Sequence, residues 1–399
     1  MTQRYLSCKL VKMRKFLILL VGFSVSLFAA PLVRAQEPRS SASRLIVKFK
    51  SSTPQALRDN VLRTAGPTST EGLLLANAYV LNVPAQALPR VAQALSRNPL
   101  VEYTETDAVA SAFEVPNDPY YSSQWGLAKI KAPGAWDVTH GAVSVDIAIT
   151  DTGINKNHSD LSSKVVSGVD CTLIGCPAVY PTDRNGHGTH VAGIASAITN
   201  NSRGVAGLAW DGRLMSVKVL SNSGSGYYSW VANGIVWAAD NGAEVINLSL
   251  GGSSSSKLLE DAVNYAWGKG VVVTAAAGNS NTSSPLYPAY YPNVIAVAAT
   301  DKNDAKTSFS SWGSWVDVAA PGVSIFSTYK SSYKYLSGTS MSTPYVSGLA
   351  ALVRAQNPGW SSGQVRDQIE STADAVPGTG TYWQWGRINA CAAVGCTLP

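Results

Sequence analysis

The chain has 399 residues, of which 45% are hydrophobic and 14% charged. This composition can bury a large core and excludes a disordered protein, and the length exceeds that of one typical domain. The basic excess behind the formal net charge of +6 falls in the first 113 residues, since 17 basic residues face 19 acidic ones from Glu114 onward. We therefore expect no nucleic-acid partner.

Residues 1–35 have the pattern of a secretory signal. Arg14 and Lys15 precede an apolar run of fifteen residues, from Phe16 to Ala30, and Ala35 ends a small-residue cleavage site. The run is shorter than the roughly 20 residues that span a bilayer, although a retained anchor remains the alternative. The segment predicts a secreted protein, extracellular or periplasmic, with no membrane attachment in its mature form.

Residues 36–113 predict a small α+β domain. Apolar and polar residues alternate in the first segment as in a half-buried strand. The predicted strands are Arg44–Lys50, Ala78–Val83 and Leu100–Glu105, and the predicted helix is Pro89–Leu95.

Residues 114–399 predict one larger domain in which apolar strands alternate with helices. The predicted strands are Val145–Thr150, Leu214–Leu220, Glu244–Leu250, Val271–Ala276, Val294–Thr300 and Trp315–Ala319. The predicted helices are His187–Ala197, Tyr227–Asn241, Lys257–Lys269, Thr339–Arg354 and Ser361–Thr372. This alternation indicates an α/β fold: a doubly wound, mostly parallel sheet with helices on both faces, preceded by the small α+β domain.

Ser340 lies at the predicted start of a helix, between Gly338 and Pro344. We expect Pro344 in the first helical turn, where its missing N–H has no intrahelical partner. The unpaired N–H groups of that turn would stabilise a developing oxyanion, so Ser340 is a candidate nucleophile. A plain Ser/Thr helix cap is the alternative reading of this motif alone.

Two further motifs supply what a serine nucleophile needs. Asp151 ends a buried strand, and His187 follows a glycine at the start of a small-residue helix. A histidine base must take the serine proton, and a carboxylate must fix its tautomer. His187 follows Asp151 by 36 residues, and Ser340 follows His187 by 153. A fourth motif ends a strand at Asn279, whose side-chain amide could donate to a tetrahedral oxyanion.

Together these motifs identify residues 117–394 as resembling the subtilisin-type (subtilase) serine peptidases, in which the triad follows the order Asp, His, Ser. The resemblance implies a secreted serine endopeptidase made as a self-processing zymogen. Residues 36–113 resemble the family's inhibitor prodomain, which implies that this segment assists folding and inhibits the enzyme. The tail from Asp107 to Phe113 resembles the cleft-binding end of that prodomain, so we expect an autolytic cut after Phe113. We expect the mature enzyme to be a monomer.

The resemblance also implies how a polypeptide substrate binds. Two edge strands would hold an extended peptide by main-chain hydrogen bonds, and one pocket would select a side chain. The implied substrate-binding residues are Leu220, Gly224, Ser249, Leu250, Gly251, Ala276, Ala277, Gly278 and Leu286. Leu286 matches the bottom of the pocket and would make it shallower and more apolar, although ordinary loop packing is an equal alternative.

A structural calcium ion is implied in the same way. Side-chain oxygens would come from Asp118, Asp160 and Asn201, and backbone carbonyls from Ile198, Arg203 and Val205. Oxygen ligands in this number suit a hard cation, whereas an Asn-rich turn without a metal is the alternative.

Cys171, Cys176, Cys391 and Cys396 form two pairs with the same spacing. In a secreted chain an even set suggests disulfides, and the sequence alone does not fix their pairing. We favour local pairs. A similar member of the family carries a second, aspartate-rich calcium loop at this place. Here residues 170–177 hold the first cysteine pair and a mainly apolar middle, so we expect that second site to be lost.

Two other functions stay open at this point. A catalytically inactive relative would bind peptides without cleaving them, which the intact set of Asp151, His187, Ser340 and Asn279 argues against. An α/β-hydrolase esterase would need a G-x-S-x-G motif, and Ser342 stands at its last position.

Overall fold

The structure is a computed structural model that describes residues 44–108 and 114–396. The chain divides into two compact units, with the division after Ser111. The predicted signal at 1–35 and the predicted cut after Phe113 lie outside the described residues. The boundaries of the signal, prodomain and catalytic domain therefore stay predictions.

The first unit is a small α+β domain. Its elements are β1 (Arg44–Phe49), α1 (Gln55–Thr64), β2 (Ser69–Gly72), β3 (Ala78–Asn82), α2 (Leu88–Ser96) and β4 (Val101–Thr106). The strands form an antiparallel sheet in the order β2-β3-β1-β4. Every second residue of β1 is buried, as its alternation predicts. The sequence analysis predicted neither α1 nor β2. Strand β2 is exposed along its whole length and therefore has no apolar pattern.

Ten strands lie in the second unit between residues 114 and 396. They are β5 (Asp146–Asp151), β6 (Val165–Asp170), β7 (Arg213–Lys218), β8 (Val245–Leu248), β9 (Val272–Ala276), β10 (Ile295–Thr300), β11 (Val318–Pro321), β12 (Ile325–Tyr329), β13 (Ser332–Leu336) and β14 (Gly386–Arg387). Eight of them form one parallel sheet in the order β14-β11-β10-β9-β8-β5-β7-β6. Strands β12 and β13 form a separate antiparallel hairpin.

Eight α-helices accompany these strands in the described part of the second unit. They are α3 (Trp125–Lys129), α4 (Ala132–Trp136), α5 (His187–Ser196), α6 (Tyr228–Asp240), α7 (Lys257–Gly268), α8 (Thr339–Gln356), α9 (Ser362–Ser371) and α10 (Ala390–Ala393). Along β5, Ile147 and Ile149 enter the core cluster that contains α5 and α8, whereas Ala148 enters the one that contains α6 and α7. Because successive strand residues point to opposite faces, helices cover both faces of the sheet. The predicted fold class is confirmed.

The sequence missed elements with weak or irregular patterns. Strand β6 is only partly buried, and the β12–β13 hairpin has an exposed second strand. The predicted strand Trp315–Ala319 starts too early, since the structure begins it at Val318. Pro344 is also not in the first turn: α8 begins at Thr339, so the proline is its sixth residue.

The strand order brings the candidate catalytic residues to one edge of the sheet. Strands β9, β8, β5 and β7 are neighbours, and parallel strands end at the same edge. Asp151 ends β5, Ser249 follows β8 and Asn279 follows β9. Ligand sites of open α/β sheets lie outside this edge.

Within the described residues, no helix is both long and apolar enough to cross a bilayer.

Candidate active site

Asp151 and His187 form a close pair. The Nδ1 atom of His187 lies 2.8 Å and 2.9 Å from the two carboxylate oxygens of Asp151. Asp151 is fully buried, and its Oδ1 also accepts a 2.7 Å hydrogen bond from the backbone N–H of Thr152. A carboxylate at this distance keeps the imidazole proton on Nδ1 and leaves Nε2 free to accept a proton.

A second buried carboxylate, Asp183, fixes the helix that begins at His187. Its two oxygens accept five hydrogen bonds, from the Thr152 hydroxyl, the backbone N–H groups of Asn185, Gly186 and Thr189, and the Thr189 hydroxyl. A helix N-terminus favours such an anion because its first N–H groups lack intrahelical partners. Asp183 therefore connects the turn that follows Asp151 to the start of α5 by hydrogen bonds.

Charges around His187 raise its pKa. Burial of the ring acts against the protonated form, but the carboxylates of Asp151 and Asp183 favour it, and the net pKa of His187 is raised from its usual value. A base whose pKa is raised holds a proton better once it has taken one from serine.

The β12–β13 hairpin is fixed to the same helix through His190. Its Nε2 atom lies 3.1 Å from the carbonyl of Ile325 and 2.9 Å from that of Lys334, one on each strand. Both partners are acceptors, so Nε2 carries the proton. Burial lowers the pKa of His190 to about 4, which keeps the ring neutral near neutral pH. His190 is thus a structural residue.

The backbone at Gly338 sets the position of Ser340. Gly338 has a φ of 153°, a conformation that residues with a side chain rarely adopt. A Cβ atom at this position would lie 3.3 Å from the amide nitrogen of Asn279. Helix α8 then begins, and Ser340 is its second residue, half-buried at the positive end of the helix dipole.

Ser340 and Ser249 exchange two hydrogen bonds. The Ser340 hydroxyl donates to the carbonyl of Ser249 over 3.1 Å, and the Ser249 hydroxyl donates to the carbonyl of Ser340 over 2.9 Å. In a regular helix the Ser340 carbonyl would accept from the N–H four residues later, but that residue is Pro344 and has none. The hydroxyl of Ser249 thus replaces the missing donor.

In the described part of the chain, no hydrogen bond joins Ser340 to His187. Catalytic hydrogen bonds are often long or poorly aligned before substrate binds. A rotation of the Ser340 hydroxyl away from Ser249 would free it for the base.

A buried polar chain supports Ser249 from behind. Asn247 donates to the Ser249 hydroxyl over 2.9 Å and accepts from Ser347 of α8 over 2.9 Å. Ser347 in turn lies 2.7 Å from the hydroxyl of Thr274 on β9. These side chains are at most 3% exposed, and each has a partner, so the network fixes α8 on the sheet.

The hydrogen bonds of Asn279 leave its amide nitrogen available. Its Oδ1 accepts from both the backbone N–H and the hydroxyl of Thr339, at 2.9 Å and 3.1 Å. A backbone N–H can only donate, so the atom facing it must be the oxygen. The exposed side chain therefore offers its NH₂ group next to the Thr339–Ser340 segment, where it could donate to an oxyanion.

The predicted substrate-binding residues fall into two groups. One cavity beside His187 is lined by Leu220, Gly224, Ser249, Leu250 and Gly251. Ala276, Ala277, Gly278 and Leu286 do not line this cavity. Ala276 and Ala277 are buried at the end of β9, and Ala277 packs into the core. These two residues could therefore offer a substrate only backbone atoms.

Leu286 lies between the two glycine segments of the predicted pocket. A Cβ atom on Gly251 would lie 2.6 Å from its side chain, and one on Gly278 would lie 3.0 Å away. The leucine therefore fills space between these walls, which favours a pocket that is shallow and apolar over unrelated loop packing.

Asp118 and Asp160 form a pair of buried carboxylates, 4% and 0% exposed. Burial and the neighbouring charge of Asp160 raise the pKa of Asp118 although backbone N–H groups lower it. Among the described residues neither carboxylate has an ion-pair partner, and no group of three or more His, Cys, Asp or Glu residues is placed to hold a metal ion.

The loop 198–205 closes around these two carboxylates. Asn201 donates to Asp160 over 3.1 Å, and the side-chain oxygen of Asn201 accepts from Arg203 over 2.7 Å. Val205 donates its N–H to Asp160 over 2.9 Å. Two buried anions without a cation fit a calcium ion, and Asn201 would have to exchange its present bond to coordinate one.

The four cysteines lie together in two local pairs. The sulfur atoms of Cys171 and Cys176 are close to each other, and so are those of Cys391 and Cys396. The first pair lies in the loop between β6 and the segment that leads to His187. This is the loop in which we expect the family's second calcium site to be lost.

Several residues of this site were not predicted. Thr152, Asp183, Asn247 and Lys218 each contact the candidate catalytic residues or their neighbours. Asn247 and Lys218 carried a signal in the sequence, because a polar residue inside a nearly apolar strand must find a buried partner.

The chain was compared with known protein families, curated proteins and solved structures. The Subtilase family profile matches residues 143–386, and the fervidolysin N-terminal prodomain profile matches residues 42–107. The chain is 57% identical over 281 residues to thermitase of Thermoactinomyces vulgaris, which covers 70% of this chain and 99% of that one. It is 46% identical over 352 residues to a thermophilic serine proteinase of a Bacillus species (strain AK1), covering 88% and 86%. Among solved structures, a protease of Pseudoalteromonas arctica PAMC 21717 aligns with a TM-score of 0.66 and 34% identity, covering 70% and 99%.

Proposed function

The chain belongs to the subtilase family of serine proteases and carries the N-terminal prodomain found in that family; we propose that it is a secreted, self-processing endopeptidase in which Asp151, His187, Ser340 and Asn279 hydrolyse peptide bonds. The observation that carries the proposal is the contact of His187 Nδ1 with the buried carboxylate of Asp151, at the edge of the sheet where α8 begins with Ser340 in its first turn.

The proposed reaction follows from these positions. His187 removes the proton of the Ser340 hydroxyl as the oxygen attacks the scissile carbonyl, and Asp151 stabilises the imidazolium that forms. The amide of Asn279 and the backbone N–H of Ser340 donate to the oxyanion at the N-terminus of α8. His187 returns the proton to the leaving amine, and water then releases the acyl group by the same route.

The extended substrate would lie along the cavity formed by the Leu220–Gly224 and Ser249–Gly251 segments. Main-chain pairing tolerates many sequences, so we propose broad polypeptide substrates with a preference for Phe, Tyr or Leu before the cut. The Leu286 side chain between Gly251 and Gly278 supports this apolar preference.

Hydrolysis of casein by the secreted full chain, with labelling of Ser340 by a serine-directed inhibitor, tests the function. An inactive peptide-binding relative would bind substrate without turnover. The intact pair of Asp151 and His187 supports the enzyme over that alternative.

We expect autolytic processing to start the mature chain at Glu114. Glu114 is already anchored, because its N–H donates to Asp137 over 3.0 Å and its carboxylate lies 2.7 Å from His140. N-terminal sequencing of the secreted enzyme checks this, and a start beyond Tyr120 would contradict it. The released prodomain should inhibit the mature enzyme when it is added back.

We expect calcium to stabilise the protein through the Asp118 and Asp160 cluster. A ligand bound only by the native state stabilises it by about 2.7 kcal/mol at 100 times its dissociation constant. EDTA should therefore lower Tm, and calcium should restore it. Asp160→Asn should abolish this response; equal Tm values of the wild type with and without calcium would refute the site.

We expect Cys171 and Cys176 to form a disulfide in the secreted protein. Closing a loop of this size stabilises a protein by about 2 kcal/mol in the chain-entropy description. Non-reducing peptide mapping should recover a peptide linked between these two residues. Recovery of a link from Cys171 to Cys391 or Cys396, or of free thiols, would show the pairing to be different.

A further inference from the structure

A buried lysine lies at the carboxyl end of β7, next to the catalytic edge. Lys218 is 5% exposed, and its Nζ donates to the carbonyl of Thr152 over 2.8 Å and to that of Leu220 over 2.6 Å. The side-chain oxygen of Asn222 lies 3.4 Å away. All three partners only accept hydrogen bonds, and an ammonium supplies three donors whereas a neutral amine has two. Lys218 is therefore present as the cation.

The sheet register places this cation beside the candidate catalytic carboxylate. Lys218 is the register partner of Asp151 on β5 and of Asp170 on β6. Partners on neighbouring parallel strands project to the same face of the sheet. Burial lowers the pKa of Lys218, and the carboxylates of Asp170, Asp183 and Asp151 raise it in part. The single positive charge of the ammonium thus offsets part of the negative charge of these three carboxylates.

The two carbonyl partners of Lys218 belong to different parts of the active site. Thr152 follows Asp151 and donates its N–H to the Asp151 carboxylate. Leu220 lines the substrate cavity, and its N–H and that of Val219 donate to the Asp151 carbonyl. One ammonium therefore joins the turn that follows Asp151 to the Leu220 segment, which would hold the substrate.

We propose that Lys218 is a positioning residue of the protease: its ammonium holds the turn after Asp151 against the Leu220 segment of the substrate cavity and limits the negative charge that acts on His187. The inference rests on the proposed roles of Asp151, His187 and Ser340. It adds a residue outside the Asp-His-Ser-Asn set and gives it a measurable effect on the pH dependence of catalysis.

The charges that face His187 determine the sign of this effect. Asp151 and Asp183 stabilise its protonated form, His190 is neutral, and Lys330 lies on the exposed side near Gly186. Removing the Lys218 cation leaves the carboxylates less compensated, so His187 holds its proton more tightly. His187 must be neutral to act as a base. The acid limb of the kcat/KM profile, which is the rise of kcat/KM with pH on its low-pH side, therefore moves to higher pH.

Two substitutions separate the charge of Lys218 from its hydrogen bonds. Lys218→Gln removes the charge and keeps a donor, whereas Lys218→Met removes both. We expect the acid limb of each variant to move to higher pH by about 0.5–1 unit. A shift of one unit corresponds to about 1.4 kcal/mol in the protonation equilibrium of His187. Loss of positioning should lower kcat/KM of Lys218→Met by a further factor of about 10–100.

Lys164→Met is the matched control. Lys164 also donates to two backbone carbonyls, those of Trp210 and Gly212. Its own carbonyl accepts from Leu214, so it lies about 13 Å back along β7 from Lys218. This variant should lose stability without moving the acid limb.

Asp170→Asn provides a test of opposite sign that does not alter the lysine. The substitution removes one carboxylate beside Lys218, so the acid limb should move to lower pH. If the Lys218 variants do not accumulate, this shift alone tests whether the charges around Lys218 act on His187. An unchanged acid limb in folded, active Lys218 variants would overturn the inference, as would a limb that stays or rises in Asp170→Asn. The proposed function fails separately, if Ser340→Ala keeps its activity.

Discussion

Ser340→Ala should lower turnover by about a millionfold and leave the chain as an unprocessed precursor. Loss of the nucleophile of a subtilisin triad has this size of effect, and the activity that remains comes from the oxyanion donors and substrate binding. The Ser340 hydroxyl donates only to the Ser249 carbonyl among the described residues, so its removal leaves the backbone of α8 in place. Casein hydrolysis and the mass of the secreted chain measure both outcomes.

Ser342→Ala is the control for this substitution. Its hydroxyl lies on the same helical turn but is buried, and it donates to the carbonyls of Ala320 and Pro321. This variant should mature and keep its activity within about tenfold, at some cost in stability. Activity of Ser340→Ala within tenfold of the wild type would remove Ser340 from the proposed mechanism.

Asp151→Asn should lower kcat by about 10⁴-fold while the fold is retained. The amide NH₂ would face Nδ1 of His187 and move the ring proton to Nε2, which then cannot accept the proton of serine. Both carboxylate oxygens now lie within 2.9 Å of Nδ1, so the change acts directly on the tautomer. Steady-state kinetics on the secreted variant would measure the loss.

Asp146→Asn is the matched control because Asp146 begins the same strand. Its carboxylate contacts Arg213 at 2.7 Å and 2.9 Å, at the end of β5 away from the candidate site. We expect nearly normal kcat and a small loss of stability, since the arginine is partly exposed. Equal kcat values for Asp151→Asn and the wild type would exclude a role for Asp151 in orienting His187.

The sequence by itself determined the fold class and the candidate catalytic set. Apolar strands that alternate with helices have one common solution, a parallel sheet covered on both faces. Asp151 ends one of those strands and Asn279 follows another, and parallel strands end at a common edge, so the sequence pattern alone places both residues at that edge. Weakly patterned elements such as β6 escaped, because a partly buried strand has no clear apolar period.

Only the tertiary structure decided which polar side chains support this set. Pro344 removes a donor inside α8, and the replacement for the Ser340 carbonyl comes from Ser249, 91 residues before Ser340 in the chain. Lys218 and Asp183 likewise find their partners across strands and turns. A buried polar group must be paired, and the sequence states that requirement; the identity of the partner depends on strand order and register, which exist only in the folded chain.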